Sequence, residues 1–364
     1  MVKLNFKSLK YYKNKKVLVT GNTGFKGSWL SLWLLMLGAK VYGISKNIPT
    51  KPSLYREIGL NKKINTSYFD IKNYEKLANK INYIKPDLIF HLAAQSIVSK
   101  SFDNPMDTFF SNSIGTANIL EYLRKTDKKI NTVIITSDKC YYPSKKGYYN
   151  EKDRLGGVDP YSGSKAIAEL FFENYYKSYL FKKKNISCVS ARAGNVIGGG
   201  DWTYNRIIPD VFKSIRSGKN IKLRHPKANR PWQHVLEPVS AYLFLGFYLM
   251  KHKNLINGET FNIGPNIKSN ATVKELITKV VNIWGAKNKI VHNKKKQFTE
   301  SIKLNLDTNK IYKKIGWKSR LNFNQTCDFV CKWYLNYFTK KKYIMKFTQN
   351  QIEKYMSKNP NENK

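Results

Sequence analysis

Two short stretches of the chain carry side chains able to do proton chemistry together. Thr136-Ser137-Asp138-Lys139-Cys140-Tyr141 follows an apolar run at 132–135 that reads as a buried parallel strand. Tyr161-Ser162-Gly163-Ser164-Lys165 begins just after Pro160 and leads into Ala166, Ile167, Ala168, Glu169 and Leu170, a helix-forming run. Tyr161 and Lys165 then share one helix face, a turn apart. A phenol with its ordinary pKa of about 10 is a poor base at neutral pH, but nearby cations favour the phenolate. A phenolate can take the proton of an alcohol while hydride leaves the same carbon. Strand ends are also where open α/β sheets place their ligands.

Such chemistry needs a hydride acceptor, and the elements upstream supply a place for one. Residues 16–20 form an apolar run short enough for a strand, and Gly21-Asn22-Thr23-Gly24-Phe25-Lys26-Gly27 follows. Residues 28–37 read as a helix rich in Leu and Trp. Strand, glycine turn and helix together predict a dinucleotide grip over Gly21, Thr23, Gly24, Phe25, Lys26 and Gly27, with pyrophosphate at the helix N-terminus. The second strand, 40–44, ends at Ser45-Lys46. No Asp or Glu stands between Gly21 and Glu57 to hold a ribose 2′-hydroxyl. Lys46 is a candidate partner for a 2′-phosphate, so the spacing leaves NAD and NADP both open.

The alternation continues. A third strand is predicted at 68–71, placing Asp70 and Ile71 against an adenine ring, with a helix at 74–84 and a strand at 87–90. Ala93, Ala94 and Gln95 follow, small enough to let a cofactor pass close to the backbone. A helix at 107–123 carries Asn112, and strands at 132–135 and 187–192 complete the series. The prediction is an α/β fold: a doubly wound parallel Rossmann sheet with a smaller mixed α/β C-terminal substrate lobe. The rhythm breaks at Gly198-Gly199-Gly200. The division expected is 1–197 plus 233–264 for the dinucleotide-binding domain and 198–232 plus 265–364 for the lobe.

Composition narrows the class. The 364 residues carry a formal net charge of +41, but lysines are spread from end to end rather than gathered in an arginine-rich segment with stacking aromatics. A solvated surface and no nucleic-acid partner are expected, with an attraction for phosphorylated small molecules. The four cysteines lack the spacing of a disulfide framework or zinc site, so no metal is expected and a reducing cytoplasm is the simplest setting. The longest apolar stretches, 29–37 and 242–250, are about half of what a membrane span needs.

Longer blocks carry a resemblance. They are 20–30 around the glycine turn, Pro49-Thr50-Lys51-Pro52-Ser53-Leu54, 136–141, 192–202 and Arg230-Pro231-Trp232-Gln233-His234-Val235. Over nearly its whole length the chain resembles the extended short-chain dehydrogenase/reductase superfamily of nucleotide-sugar enzymes, and within it the CDP-glucose 4,6-dehydratase group. In the dTDP-glucose and GDP-mannose dehydratases a Glu commonly stands where this chain has Lys139.

The resemblance implies an internal redox cycle on NAD with CDP-glucose or a related nucleotide sugar. Tyr161, tuned by Lys165, would remove the 4-hydroxyl proton, and Ser137 would bind the C4 oxygen. Asp138 would protonate the departing 6-hydroxyl, and Lys139 would be the C5 base. Asn195, Arg206, Arg230 and His234 are the expected substrate contacts. The resemblance further implies a homodimer through the helices holding Asn112 and Tyr161. Another nucleotide-sugar dehydratase or a 4-epimerase is the alternative within this class. A non-catalytic polyanion binder is the alternative outside it.

Overall fold

The computed structural model describes residues 4–144, 147–265, 269–292 and 304–359. Seven strands form one parallel sheet: β1 (Lys16–Thr20), β2 (Lys40–Ser45), β3 (Asn65–Tyr68), β4 (Leu88–His91), β5 (Ile130–Ile135), β6 (Ile186–Ala193) and β7 (Thr260–Ile263). Their spatial order is β7-β6-β5-β4-β1-β2-β3. The order reverses direction between β1 and β4, which is where doubly wound sheets bind ligands. A parallel strand buried on both faces sends apolar side chains to both, and β5 shows how. Val133 and Ile135 enter one apolar cluster, while Ile130 and Ile134 enter the other.

Helices α1 (Phe25–Met36) and α6 (Leu236–His252) cover one face of the sheet. On the other lie α2 (Tyr74–Ile84), α3 (Gly115–Lys125) and α4 (Pro160–Ser178). α1 is apolar nearly all round because it is covered twice. Trp29 and Trp33 are fully buried, and Trp33 meets Tyr355 edge to face at 5.8 Å. That second cover is α9 (Ile344–Ser357), packed with α8 (Phe323–Thr339). The core is therefore continuous between the sheet and the C-terminal helices. The glycines at 198–200 belong to it: a Cβ on Gly199 would lie 1.9 Å from the Trp333 ring.

The remaining chain builds the rim above the sheet. α5 (Ile207–Arg216) and α7 (Val273–Trp284) flank two small strand pairs, Asn229–Pro231 with Asn270–Thr272 and Ile221–Leu223 with Ile290–His292. No helix among the described residues is long and apolar enough to cross a membrane.

Three expectations need correction. The third strand lies at Asn65–Tyr68, so Asp70 and Ile71 fall in the turn beyond it. β3 is an edge strand with no buried residue, which is why no apolar run marks it. The predicted helix at 107–123 is three pieces: Pro105–Phe109, a π-helical turn Phe110–Ile114, and α3. α1 begins at Phe25, so Phe25, Lys26 and Gly27 form its first turn rather than a preceding loop.

Candidate active site

The strand end that carries Thr136 to Tyr141 is shaped by its own side chains. Ser137 caps a 3-10 turn, Asp138–Cys140, by accepting the Lys139 amide at 3.3 Å, and it donates to Asp138 Oδ1 at 3.0 Å. Gly194 lets the Asp138 carboxylate come close to the β6 backbone: a Cβ there would lie 3.1 Å from Oδ2. The catalytic helix is started just as firmly. Asp159 is its N-cap, accepting from the Ser162 amide at 2.9 Å and the Ser162 hydroxyl at 2.6 Å, and Pro160 occupies the first turn. Tyr161 and Lys165 follow on one face, both nearly buried.

These two elements are held together by a buried polar network. Glu169, one turn beyond Lys165, pairs with Arg192 of β6 at 2.8 Å. It also accepts the hydroxyls of Thr136 and, at 2.9 Å, Ser190. Arg192 donates to the Tyr141 hydroxyl at 2.8 Å, which donates to Asn262 of β7 at 2.7 Å. The sequence marks Glu169 as a helix residue and gives Asn262 no distinguishing pattern. A Glu on a face shared with Tyr161 and Lys165 at four-residue spacing was the available signal.

Asn112 performs the corresponding task from the other side. In the π-helical turn its amide donates to Ser164 Oγ at 2.9 Å and to Gln95 O at 3.0 Å, while its carbonyl accepts the Gln95 amide at 2.8 Å. The extra residue of such a turn points a side chain where a regular helix would not. Asn112 so joins the chain after β4, with Ala93 and Ala94, to the catalytic helix.

A cleft of about 360 Å³ opens over these groups. Ser137, Asp138, Lys139 and Tyr161 line its floor; Asn195, Arg206 and Arg230 line its wall, with Arg224, Trp232 and Phe25. Arg206 spans the opening, bound to Asp201 at 3.1 Å and to the Ser96 hydroxyl at 3.3 Å. His234 is not among these groups. It is fully buried, edge-on to Trp29 and Phe329, with Nδ1 facing the Leu236 amide. It lies on the two-residue strand Gln233–His234 with its side chain in the core, while Trp232 lines the cleft.

Burial sets the protonation of the site. It pushes the Tyr161 phenol up to about 12; the Ser137 hydrogen bond and Arg206 oppose this, and Asp138 adds to it. It also raises the Asp138 carboxyl, against Lys139, Ser137 and Lys26. Lys165 falls to about 8 by burial, partly offset by Glu169. Lys26 falls to about 7, by burial and by the charges of Lys165 and Arg206. Lys26 thus faces the cleft and senses Asp138, a position that its place in the glycine turn did not reveal. For Tyr161, burial outweighs the opposing Ser137 and Arg206.

The glycine turn fits a dinucleotide. Gly21 has φ +74°, and a Cβ on Gly27 would lie 2.1 Å from Gly21 O, so turn and helix close tightly. The N-cap of α1 is Gly24, with no side-chain cap, which leaves first-turn N–H groups for an anion. Thr23 supports the turn, its hydroxyl donating to Asn47 O at 2.7 Å. At the far end, Asp70 holds Lys46 at 3.1 Å and Lys72 at 3.4 Å. Lys46, the candidate for a 2′-phosphate, is engaged by a carboxylate. Ile71 is packed tightly against Gly115.

Known proteins are similar to this chain. Residues 18–329 match the family described as GDP-mannose 4,6 dehydratase. The chain is 37% identical over 352 residues to a CDP-glucose 4,6-dehydratase of Salmonella typhimurium, covering 95% of this chain and 98% of that protein. Two solved structures superpose closely. One is an epimerase of Methanothermobacter thermautotrophicus (TM-score 0.79, 21% identity, 92% of this chain and 96% of that one). The other is a dTDP-glucose 4,6-dehydratase of Bacillus anthracis in complex with NAD (TM-score 0.74, 24% identity, 91% and 99%). At such identities these two speak for the fold. With the family match over most of the chain and the relative spanning nearly all of it, the chain belongs to the GDP-mannose 4,6 dehydratase family, within the extended short-chain dehydrogenase/reductases.

Proposed function

We propose that the protein is a CDP-glucose 4,6-dehydratase, a hydro-lyase that converts CDP-glucose to CDP-4-keto-6-deoxyglucose and water. The observation that carries this is the Asp138-Lys139 pair in the same cleft as Tyr161. A redox site needs only the tyrosine; an acid and an amine beside it add an elimination. The relative from Salmonella typhimurium supplies the choice of nucleotide.

NAD, which the Bacillus anthracis structure contains, is the cofactor proposed; when bound it accepts hydride from C4 and returns it to C6. Gly21, Thr23, Gly24 and the first turn of α1 at Phe25, Lys26 and Gly27 would hold its pyrophosphate. Asp70 and Ile71 would meet the adenine, and Ala93, Ala94 and Gln95 would border the nicotinamide half. The Asp70 carboxylate beside Lys46 favours NAD over a 2′-phosphorylated cofactor.

The chain's own residues do the proton work. Tyr161 takes the 4-hydroxyl proton, and Lys165 adds positive charge beside it. Ser137 donates to the C4 oxygen. The 4-ketone acidifies the C5 proton, which the Lys139 amine removes; Asp138, whose carboxyl burial raises, gives its proton to the departing 6-hydroxyl. Lys139 then returns its proton to C5. Arg206 and Arg230 suit the diphosphate, and Asn195 the sugar.

The cofactor half is proposed to be 1–197 plus 233–264, and the substrate lobe 198–232 plus 265–364. Met106, Phe110, Ile114 and Leu170 are exposed on the helices that carry Asn112 and Tyr161, a face suited to a second copy, and light scattering would read a dimer. Buried free thiols and a nucleotide-sugar substrate suit the cytoplasm.

The test is incubation of purified protein with the CDP-, dTDP-, GDP- and UDP-hexoses, watching for a 4-keto-6-deoxy product. CDP-glucose should yield it. Absence of turnover on CDP-glucose overturns the assignment, and interconversion of 4-epimers without loss of water would make the protein an epimerase.

A further inference from the structure

His91 closes β4 at the point where the strand order reverses, directly opposite Thr20 at the end of β1. It is buried, and the proton work assigned above makes no use of it. Both of its ring nitrogens nevertheless have partners. Nδ1 lies 2.8 Å from the Thr20 hydroxyl, and Nε2 lies 3.2 Å from the hydroxyl of Thr116 on α3. Thr20 stands immediately before Gly21 of the glycine turn, and its oxygen accepts the Ala93 amide at 3.2 Å. A Cβ on Gly21 would lie 2.8 Å from the Ala93 nitrogen, so the glycine turn and Ala93 are packed backbone to backbone. On the other side, Thr116 donates to the backbone carbonyl of Asn112 at 2.7 Å. Through one hydroxyl each way, the imidazole joins the segments around the cofactor to the π-helical turn that steadies the catalytic helix.

Counting hydrogens fixes the direction of each bond in this chain. A threonine hydroxyl has one proton to give. Thr116 gives its proton to Asn112, so toward His91 it can only accept, and Nε2 must carry the ring hydrogen. A neutral imidazole with its hydrogen on Nε2 has a bare Nδ1. The Thr20 proton therefore points at Nδ1, and the Thr20 lone pairs are left for the Ala93 amide. Burial, with the charge of Lys165, holds the imidazole down to about 3, so the ring is neutral near neutral pH as this pattern requires. Beyond Thr116, the Asn112 side chain holds Gln95 and Ser164, and Ser164 donates to the Tyr161 carbonyl at 2.7 Å. With its hydrogen on Nδ1 instead, the ring would set the bare Nε2 against a Thr116 oxygen whose proton is already spent.

We propose that His91, as the Nε2–H tautomer, is a positioning residue with two separable ends. Its Nδ1 end sets the cofactor cradle, acting on Ala93 and the Gly21 turn through Thr20. Its Nε2 end sets the catalytic helix, acting through Thr116 and Asn112 on Ser164 and the Tyr161 backbone. His91 itself touches neither substrate nor cofactor and passes no proton. This rests on the reading of the Gly21 turn and of Ala93, Ala94 and Gln95 as the grip on NAD.

The experiment separates the ends with two amides. In His91→Asn the side-chain oxygen can stand where Nδ1 does and accept from Thr20, but nothing reaches Thr116. In His91→Gln the amide nitrogen can stand where Nε2 does and donate to Thr116, but Thr20 loses its acceptor. NAD affinity is read by titrating the protein with NAD in the absence of sugar, and kcat for CDP-glucose is read at saturating NAD. His91→Gln should weaken NAD binding about tenfold, the scale of one buried hydrogen bond left unmade, and lose less in kcat. His91→Asn should do the reverse, with kcat about tenfold lower and a smaller loss of NAD affinity. Equal losses of both quantities in both variants, or the opposite ranking, overturn the two-ended role and leave His91 as packing. Nitrogen NMR of the histidine rings in the parent gives a reading that needs no variant to fold. The His91 ring should carry its hydrogen on Nε2, and a hydrogen on Nδ1 overturns the proposal. If the parent binds NAD but makes no 4-keto-6-deoxy product, the dehydratase reading has failed instead, and the two NAD affinities and the ring hydrogen still decide the role of His91.

Discussion

Glu169 and Arg192 pair at 2.8 Å with almost no exposure of either side chain, joining the catalytic helix to β6 directly behind Thr136. The pair positions the reacting groups without touching the cleft. Two charges out of water are tolerated because each is hydrogen-bonded further, Glu169 by Thr136 and Ser190 and Arg192 by Tyr141.

Removing one partner should be costly. Glu169→Gln leaves the Arg192 guanidinium buried without its counter-ion, and the expected loss of stability is about 3–5 kcal/mol. Denaturant unfolding would measure it. A change within experimental error of zero would mean that water or rearrangement replaces the pair.

Tyr161→Phe should abolish product and leave the bound cofactor oxidised, because the 4-ketone never forms. Lys139→Ala should separate the steps: C4 is oxidised, elimination stalls, and the reduced cofactor accumulates with its near-ultraviolet absorbance. Normal turnover by Lys139→Ala would remove Lys139 from the role of C5 base.

Lys26 offers a pH test. Its positive charge lowers the Asp138 carboxyl, which burial raises. Asp138 must be protonated to act as an acid, so kcat should fall as pH rises through its pKa. Lys26→Met removes a charge that favours the carboxylate, so the alkaline limb of the kcat profile should move to higher pH. An unmoved or downward-shifted limb would show that Lys26 does not act on Asp138.

His234, expected at the substrate, should prove structural. Burial holds its imidazole down to about 3. The folded protein thus binds fewer protons here than the unfolded chain, whose histidine titrates at about 6.5, and stability is lost as pH falls below that value. Between pH 7 and pH 5 this histidine alone accounts for about 2 kcal/mol. His234→Leu, close in volume, should narrow the stability difference between those pH values by that amount and leave the KM for CDP-glucose unchanged. A raised KM with an unchanged pH dependence would return His234 to the substrate.

The amino-acid order alone marked the glycine turn, the parallel βα series, and the reacting groups Asp138, Lys139, Tyr161 and Lys165. These are local patterns: apolar runs of strand length, a turn that only glycine fills, and a Tyr and Lys spaced one helical turn apart. The edge strand β3 escaped because an exposed edge need not be apolar. The π-helical turn around Asn112 escaped because its single phase shift falls between helical segments too short to show a period of their own on the N-terminal side. Other facts depend on contacts between residues far apart in the chain, and only the tertiary structure decided them. It turned His234 into the core, aimed Lys26 at Asp138, and buried Glu169 against Arg192 of another strand. It also set the direction in which the Tyr161, Asp138, Lys165, Lys26 and His234 pKa values move, since their burial belongs to the packed protein. Sequence named the acid and the base; folding brought them into one cleft.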